Sequence, residues 1–433
     1  MRATFRSRTL LAVVLLLAVA GCGAASNAQS AASTSAAGPA GSGRAWSRVG
    51  GSASRLPAGG IDALAVSPAG TLYAGGYTLS SSSAGGVWVH SGGAWSQLGG
   101  NSSPVSSDDI TALALSPNGT VYAAAYNHSS GRGVWAYHRG VWSELGGGSS
   151  PVSSVIIGAL AVSPVGTLYA GASSSGGRGV WAYGDGVWSE LGGSSSSLSF
   201  ASIRALAVSP SGTLYAGVYG VPDGAWAYAD GVWSQLGGSS SPMSSDPIRT
   251  LAVSPSGTVY AGTISMPNGL GRGVWVFKPS NWAPLGVNPA LLGTWSQLGG
   301  SSSPVSADLI ESLTLSPAGT VYVGAYNPSK PSASGVWVYS SGTWSPVGGS
   351  SSPISSHLIQ ALATAASGTV YAGAYRWANP SASGVWRYGP SSLPSNLPYP
   401  PVPYFIRLVP PAAGALLVLL WLLRRRRGPY KLS

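Results

Sequence analysis

Fifteen side chains in this sequence are of types that serve as acids, bases or hard metal ligands: eight Asp, three Glu and four His. General acid–base work needs two such groups held at different pKa values, and a metal site needs three or four at short spacing. His90, His128, His138 and His357 show no metal-ligand spacing, and Glu144, Glu190 and Glu311 stand far apart in the chain. No phosphate-cradling glycine loop and no nucleophile elbow appears, so neither a metal nor a cofactor is expected. The chemistry left is recognition. Asp108, Asp109, Asp246, Asp308 and His357 each fall just before a repeated apolar segment, and Arg132, Arg178, Arg272 and Trp377 fall in segments of varying length.

What must position them is a repeat. An isoleucine recurs at Ile61, Ile110, Ile157, Ile203, Ile248, Ile310 and Ile359, and a tyrosine follows each one after 12 residues. From the Trp of Gly-x-Trp to the next repeated Trp is 7 residues, and from each Trp-Ser to the following Ile is 15. The exception is an insertion of 13 residues, 282–295, in which the closing motif occurs twice. The remaining length variation lies between the Tyr and the Gly-x-Trp.

Each unit carries four β-type segments. The first, as in Ala-Leu-Ala-Val, ends in Ser-Pro-x-Gly, where Pro presets the turn and Gly takes positive φ. The second is Leu-Tyr-Ala-Gly and the third Gly-Val-Trp-x-Tyr. Short turns such as Asp185-Gly186 lead to the fourth, Val-Trp-Ser. Four antiparallel strands in roughly 45–50 residues make one propeller blade. The last unit lacks its fourth segment, and an unmatched copy at Trp46 precedes the first unit. The expected fold is therefore all-β: a seven-bladed β-propeller of four-stranded blades over 44–389, closed by an N-terminal strand. Fourteen of the 17 Trp occupy two repeated positions and are read as core and blade-to-blade filler.

Blade-to-blade linkers and second-to-third-strand loops share one face of a propeller. They carry Asp108, Asp109, Asp246, Asp308 and His357 in the first set and Arg132, Arg178, Arg272 and Trp377 in the second. That face is the candidate binding surface, because variation confined to one face marks binding in repeat proteins. His90 and His138, at the third-to-fourth-strand turn, are expected to be solvated.

The formal charge of +11 belongs to the chain ends. Arg2, Arg6, Arg8, Arg407, Arg424 to Arg427 and Lys431 account for nine units of it, leaving +2 between them. Too little remains to steer a polyanion, so no nucleic-acid partner is expected. Residues 1–22 read as a signal peptide with an apolar run from Leu10 to Ala20. Its end, Val19-Ala20-Gly21-Cys22, resembles the lipobox of bacterial lipoproteins, which implies lipidation at Cys22, the only cysteine. Residues 23–43 form an Ala/Ser/Gly linker and 390–405 a Pro-rich one. Residues 406–423 form a transmembrane or sorting helix, and 424–433 a basic cytoplasmic tail by the positive-inside rule. The segment between the two ends is expected outside the cell membrane.

The string Ile-x-Ala-Leu-Ala-Val-Ser-Pro-x-Gly-Thr-Leu-Tyr-Ala-Gly, with the Gly-Val-Trp-x-Tyr that follows, resembles two-component-regulator propeller repeats. Kelch, YVTN and tectonin repeats are looser relatives. The resemblance implies the propeller over 44–389 and leaves function open, since propellers host unrelated activities. Regulator propellers precede a membrane helix and a kinase module; only ten residues follow the helix here, so no output domain is expected. The sialidase-type Asp box is not matched by Tyr228-Ala-Asp-Gly-Val-Trp233. The function expected is a membrane-anchored, extracytoplasmic, non-catalytic binding or scaffold module for a protein or glycan. The alternatives are a surface lectin-like module, or a hydrolase or lyase with its site at the channel mouth.

Overall fold

The computed structural model describes residues 43–51, 56, 59–78, 85–127, 130–173, 179–264, 271–280, 291–376 and 383–390. Twenty-eight strands there form seven four-stranded antiparallel sheets. In the first blade the strands are β2 (Gly60–Val66), β3 (Leu72–Tyr77), β4 (Gly86–Ser91) and β5 (Ala94–Gln97), paired in chain order. The Ser-Pro-x-Gly turns close as the sequence requires. Ser67 accepts from Gly70 N and donates to Thr71 O, with Gly70 at φ 86°.

Radial packing follows from residue size. The repeated Ile at the start of each innermost strand is at most 2% exposed. In six of the seven cases its side chain lies against a glycine of the preceding blade, Ala124 standing at the equivalent register position before Ile157. A Cβ on Gly217 would stand 2.7 Å from Ile248 Cγ2, and one on Gly373 would stand 2.9 Å from Ile61 Cγ2. The second of these contacts joins the seventh blade to the first. Glycine is required at these positions for close approach rather than for backbone freedom. At the rim, the indole N–H of each fourth-strand Trp donates to the carbonyl at the end of the preceding blade's fourth strand. Trp142 reaches Leu98 O at 2.9 Å, and Trp188 reaches Leu145 O at 2.9 Å.

The ring closes as the unmatched N-terminal motif predicts. Strand β1 (Arg44–Arg48) pairs antiparallel with β28 (Gly384–Pro390), in a sheet completed by β27 (Val370–Tyr375) and β26 (Leu358–Thr364). Trp46 Nε1 donates to Val347 O of the sixth blade at 2.8 Å. Thus the two ends of the repeat array are fastened by a strand pairing and a buried indole. The fifth blade takes its fourth strand, β21 (Gly293–Gln297), from the second copy of the duplicated motif, through Trp295. The signal peptide with Cys22, the Pro-rich linker, the 406–423 helix and the basic tail lie outside the described residues. Among the described residues no helix is long and apolar enough to cross a membrane.

Candidate functional site: the mouth of the central channel

The seven innermost strands are β2, β6 (Asp109–Leu115), β10 (Ile157–Val162), β14 (Ser202–Val208), β18 (Ile248–Val253), β22 (Leu309–Leu315) and β26. Every one of them breaks register just after its repeated Ile. Ile61 pairs with Gly76 and Ala63 with Gly75, so Asp62 is an extra residue; the same shift recurs in the other six blades. A bulge of this kind re-aims a side chain and is common beside functional sites. The bulged residues are Asp62, Thr111, Gly158, Arg204, Arg249, Glu311 and Gln360. Every blade keeps the Ile before the bulge and the Leu two residues after it. Between them the bulged position differs in chemistry from blade to blade, apart from one pair of arginines, and the residue before the Ile (Gly60, Asp109, Ile156, Ser202, Pro247, Leu309, Leu358) varies as well.

Together these residues ring the opening of the axial channel, above a cavity of about 200 Å³. Arg204 and Arg249 occupy adjacent blades and make one side cationic. Arg249 Nε lies 3.0 Å from Glu311 Oε2. Opposite, Gln360 Nε2 donates to Asp62 Oδ1 at 2.9 Å, and Tyr77 Oη donates weakly to Gln360 Oε1 at 3.5 Å. Thr111 Oγ1 donates to Ile157 O of the next blade at 2.6 Å. Arg204 has no carboxylate partner among the described residues; its guanidinium lies over the Tyr219 ring, 5.5 Å from the centroid.

Burial is the main electrostatic influence here. It pushes the Asp62 carboxyl up from 3.8 to about 6, with Asp109 and Glu311 adding to the rise and Arg249 opposing it. Burial also pushes the Tyr77 hydroxyl up to about 12. Arg204 is lowered, first by burial and then by the neighbouring Arg249. Near neutral pH the ring therefore holds a carboxylate ready to take a proton and a cation lacking a counter-ion.

Beneath the charged ring the channel turns apolar. Leu64, Leu113, Leu160, Leu206, Leu251, Leu313 and Leu362 line the next level. The far mouth is lined by Val66, Leu115, Val162 and Val208 with the turn prolines, around a cavity of about 560 Å³. It is the wider of the two openings and lacks the charged side chains that give the other its chemistry.

The candidate face expected from the loops is built differently from a solvated binding surface. Asp108 and Asp308 are 1% exposed, His357 1% and Asp246 8%. All four stand two residues before a repeated Ile; the three aspartates hold the linkers to the loops, and His357 Nδ1 lies 3.2 Å from Ser355 O within its own linker. Arg132 Nε lies 3.3 Å from Asp108 Oδ2, and Arg272 Nη1 bridges both oxygens of Asp246 at 2.8 and 2.7 Å. Asn327 Nδ2 donates to Asp308 Oδ1 at 2.7 Å. Main-chain bonds add to this, as Gly86 N donates to Asp108 O at 2.7 Å. Asp109 accepts from Thr78 N at 2.9 Å beside the channel mouth. Burial raises the Asp108 and Asp308 carboxyls and lowers the His357 imidazole. Thus Arg132 and Arg272 meet Asp108 and Asp246, Asp308 meets Asn327, and Arg178 and Trp377 lie outside the described residues. The hydroxyl-rich linkers are pinned by buried side chains such as Val105, Leu198 and Ile354.

His138 is exposed, as expected of a solvated turn residue, with its Nδ1 3.0 Å from Thr120 Oγ1. His90 differs: it packs tilted against Trp95, ring centroids 5.1 Å apart, and is lowered by burial. No His joins the channel ring, and no cluster of three or more His, Cys, Asp or Glu suited to a metal occurs among the described residues. The ring itself has a sequence signal that motif searching passes over. It is the single variable letter in Ile-x-Ala-Leu-Ala, read across seven repeats rather than along the chain.

No protein-family model and no curated protein matches the chain. Solved structures match its fold. The extracellular domain assigned to a hybrid two-component system of B. thetaiotaomicron aligns with 79% of this chain at TM-score 0.54 and 16% identity. The chain spans only 39% of that domain's length, and 41% of a second such domain, which aligns at TM-score 0.51 and 14% identity. YCF48 bound to D1 peptide aligns with 82% of this chain and 97% of its own at TM-score 0.52 and 13% identity. At these identities the likeness is one of fold: the chain is an all-β, seven-bladed propeller similar to those domains.

Proposed function

We propose that this protein is an extracytoplasmic, membrane-anchored binding propeller without catalytic chemistry, and that its ligand site is the charged channel mouth. The observation that carries the reading is the bulged ring. Seven strands that share their Ile and the Leu three residues on differ in chemistry at the bulged residue that lies at the channel mouth between them. Packing would make that position uniform, as it makes the neighbouring Ile uniform. A ring of acid, base, amide and hydroxyl suits an asymmetric polar ligand. Its arginines, amide and hydroxyl are groups that hold a polar ligand through charge and hydrogen bonds, which supports the binding reading. Two extracellular domains assigned to hybrid two-component systems and a peptide-bound protein among the similar folds support a binding role by analogy.

Orientation supports the same reading. Arg44 pairs with Pro390 at one end of the closing sheet, and Arg44 Nη2 donates to Gly368 O in a Ser-Gly turn at 2.7 Å. Arg44 and Pro390, at the two ends of the described propeller, therefore both lie at the turn face, opposite the charged mouth. With Cys22 lipidated, or with 406–423 spanning the bilayer, the turn face would lie toward the membrane and the mouth toward the medium. A photo-crosslinking residue at Thr111, in the mouth, and another at exposed Ser211, in a turn, test this in cells. Adducts from position 111 and none in common from position 211 are expected. Adducts from position 211 alone would overturn the assignment of the mouth.

A further inference from the structure

We propose that the cationic side of the mouth, Arg204 together with Arg249, captures the terminal carboxylate of a peptide whose last residue is apolar. This rests on the reading of the mouth as the ligand site and specifies what enters it. The first observation is charge. Arg204 is a half-buried guanidinium without a carboxylate partner among the described residues, and Arg249 hydrogen-bonds only through Nε there. A buried cation lacking a counter-ion is costly, and a forked guanidinium is matched by a planar carboxylate.

The second observation is the neighbouring ring position. Blade 3 places Gly158 beside Arg204, and because a Cβ there would stand 2.6 Å from Ser173 Cβ and 2.7 Å from Ile203 O, that position of the ring carries no side chain. The third is the floor. Immediately below lie Leu160, Leu206 and Leu251, in a cavity of about 200 Å³ that holds about one amino-acid residue. Across the mouth Asp62, and beside Arg249 the Glu311 carboxylate, present acceptors toward which a ligand main-chain N–H is attracted. A carboxylate, one aliphatic side chain and an amide N–H at this spacing describe the last residue of a peptide. A phosphate dianion would meet one uncompensated cation and three rim carboxylates, Asp62, Asp109 and Glu311. A sugar acid would set hydroxyls on the leucine floor.

The test uses the full chain in lipid nanodiscs, with saturation-transfer NMR and calorimetry. The probes are acetyl-Ala-Ala-Leu as free acid, the same peptide as C-terminal amide, D-glucuronate and inorganic phosphate. The acid should bind, the amide about tenfold or more weaker, as loss of a charge-assisted contact predicts. Arg204→Gln should cost the acid a similar factor and leave the amide unchanged, with Arg204→Lys recovering part. Unchanged near-ultraviolet circular dichroism of the tryptophans would show that the variants fold. Equal binding of acid and amide, indifference to Arg204→Gln, tighter glucuronate or phosphate, or no binding of the acid would each overturn the proposal. Persistence of Thr111 crosslinks alongside such a failure would remove the carboxylate site alone and leave the mouth as the binding site.

Discussion

Replacing Asp62 with Asn isolates the electrostatic cost of the channel ring. The folded carboxyl holds its proton to about pH 6, against 3.8 for the ordinary group. As pH rises from about 4 to 6, the unfolded chain loses this proton first, so the folded state is progressively disfavoured. This is the reverse of a salt-bridged carboxylate. A shift of that size corresponds to at most about 3 kcal/mol at pH 8 and to roughly 0.5 kcal/mol at pH 4. Asparagine keeps an Oδ1 to accept from Gln360 Nε2, now 2.9 Å from the Asp62 oxygen, and removes the charge. Asp62→Asn should therefore stabilise the propeller at pH 8 and do little at pH 4. For a β domain of this size the gain amounts to roughly 4 °C in Tm. Scanning calorimetry at the two pH values, with urea unfolding as a second probe, gives the difference. Equal stabilisation at both pH values, or destabilisation at pH 8, would show that the ring carboxyl is not held protonated by burial.

Trp46→Ala removes the indole that fastens the seventh blade to the sixth and should cost about 3–5 kcal/mol, read as a lower urea midpoint; a change under 1 kcal/mol would mean the strand pairing of β1 with β28 closes the ring without it. In a double-mutant cycle, Arg272→Ala and Asp246→Asn should couple by only about 0.5–1 kcal/mol, because the Arg272 side chain is 43% exposed. A coupling near zero would leave the backbone bonds as the only latch between linker and loop. In intact cells a membrane-impermeant maleimide should label Thr111→Cys faster than Ser211→Cys, and should leave the parent chain unlabelled because the proposed lipid caps the Cys22 thiol. Equal labelling at both positions would contradict the orientation, and labelling of the parent chain would contradict lipidation.

The fold was legible because propeller physics is repetitive. Constant spacings from Ile to Tyr and from Trp to Trp fix strand lengths, and the orphan Trp46 motif names its own partner. The binding site was less so, for two physical reasons. Asp108, Asp246 and Asp308 share a face with Arg132 and Arg272, as their positions in the repeat require. Only three-dimensional register reveals that the pairs neutralise each other within one blade. The ring of Asp62, Arg204, Arg249, Glu311 and Gln360 draws one residue from each blade, so no local motif marks it. Its bulge is invisible in an alternating apolar pattern, where the variable letter passes for a solvent-facing residue between Ile and Ala. Aligning the repeats on their Ile residues makes that column stand out between an invariant Ile and an invariant Leu.

The central claim is that the charged ring takes the ligand. The most direct test carries the Thr111 crosslinker into a chain in which Asp62→Asn, Arg204→Gln, Arg249→Gln and Glu311→Gln neutralise the ring together, with calorimetric unfolding to verify the fold. The account predicts a folded protein that loses the adducts formed by the parent chain in cells. The same adducts at the same yield from the neutral ring would contradict it.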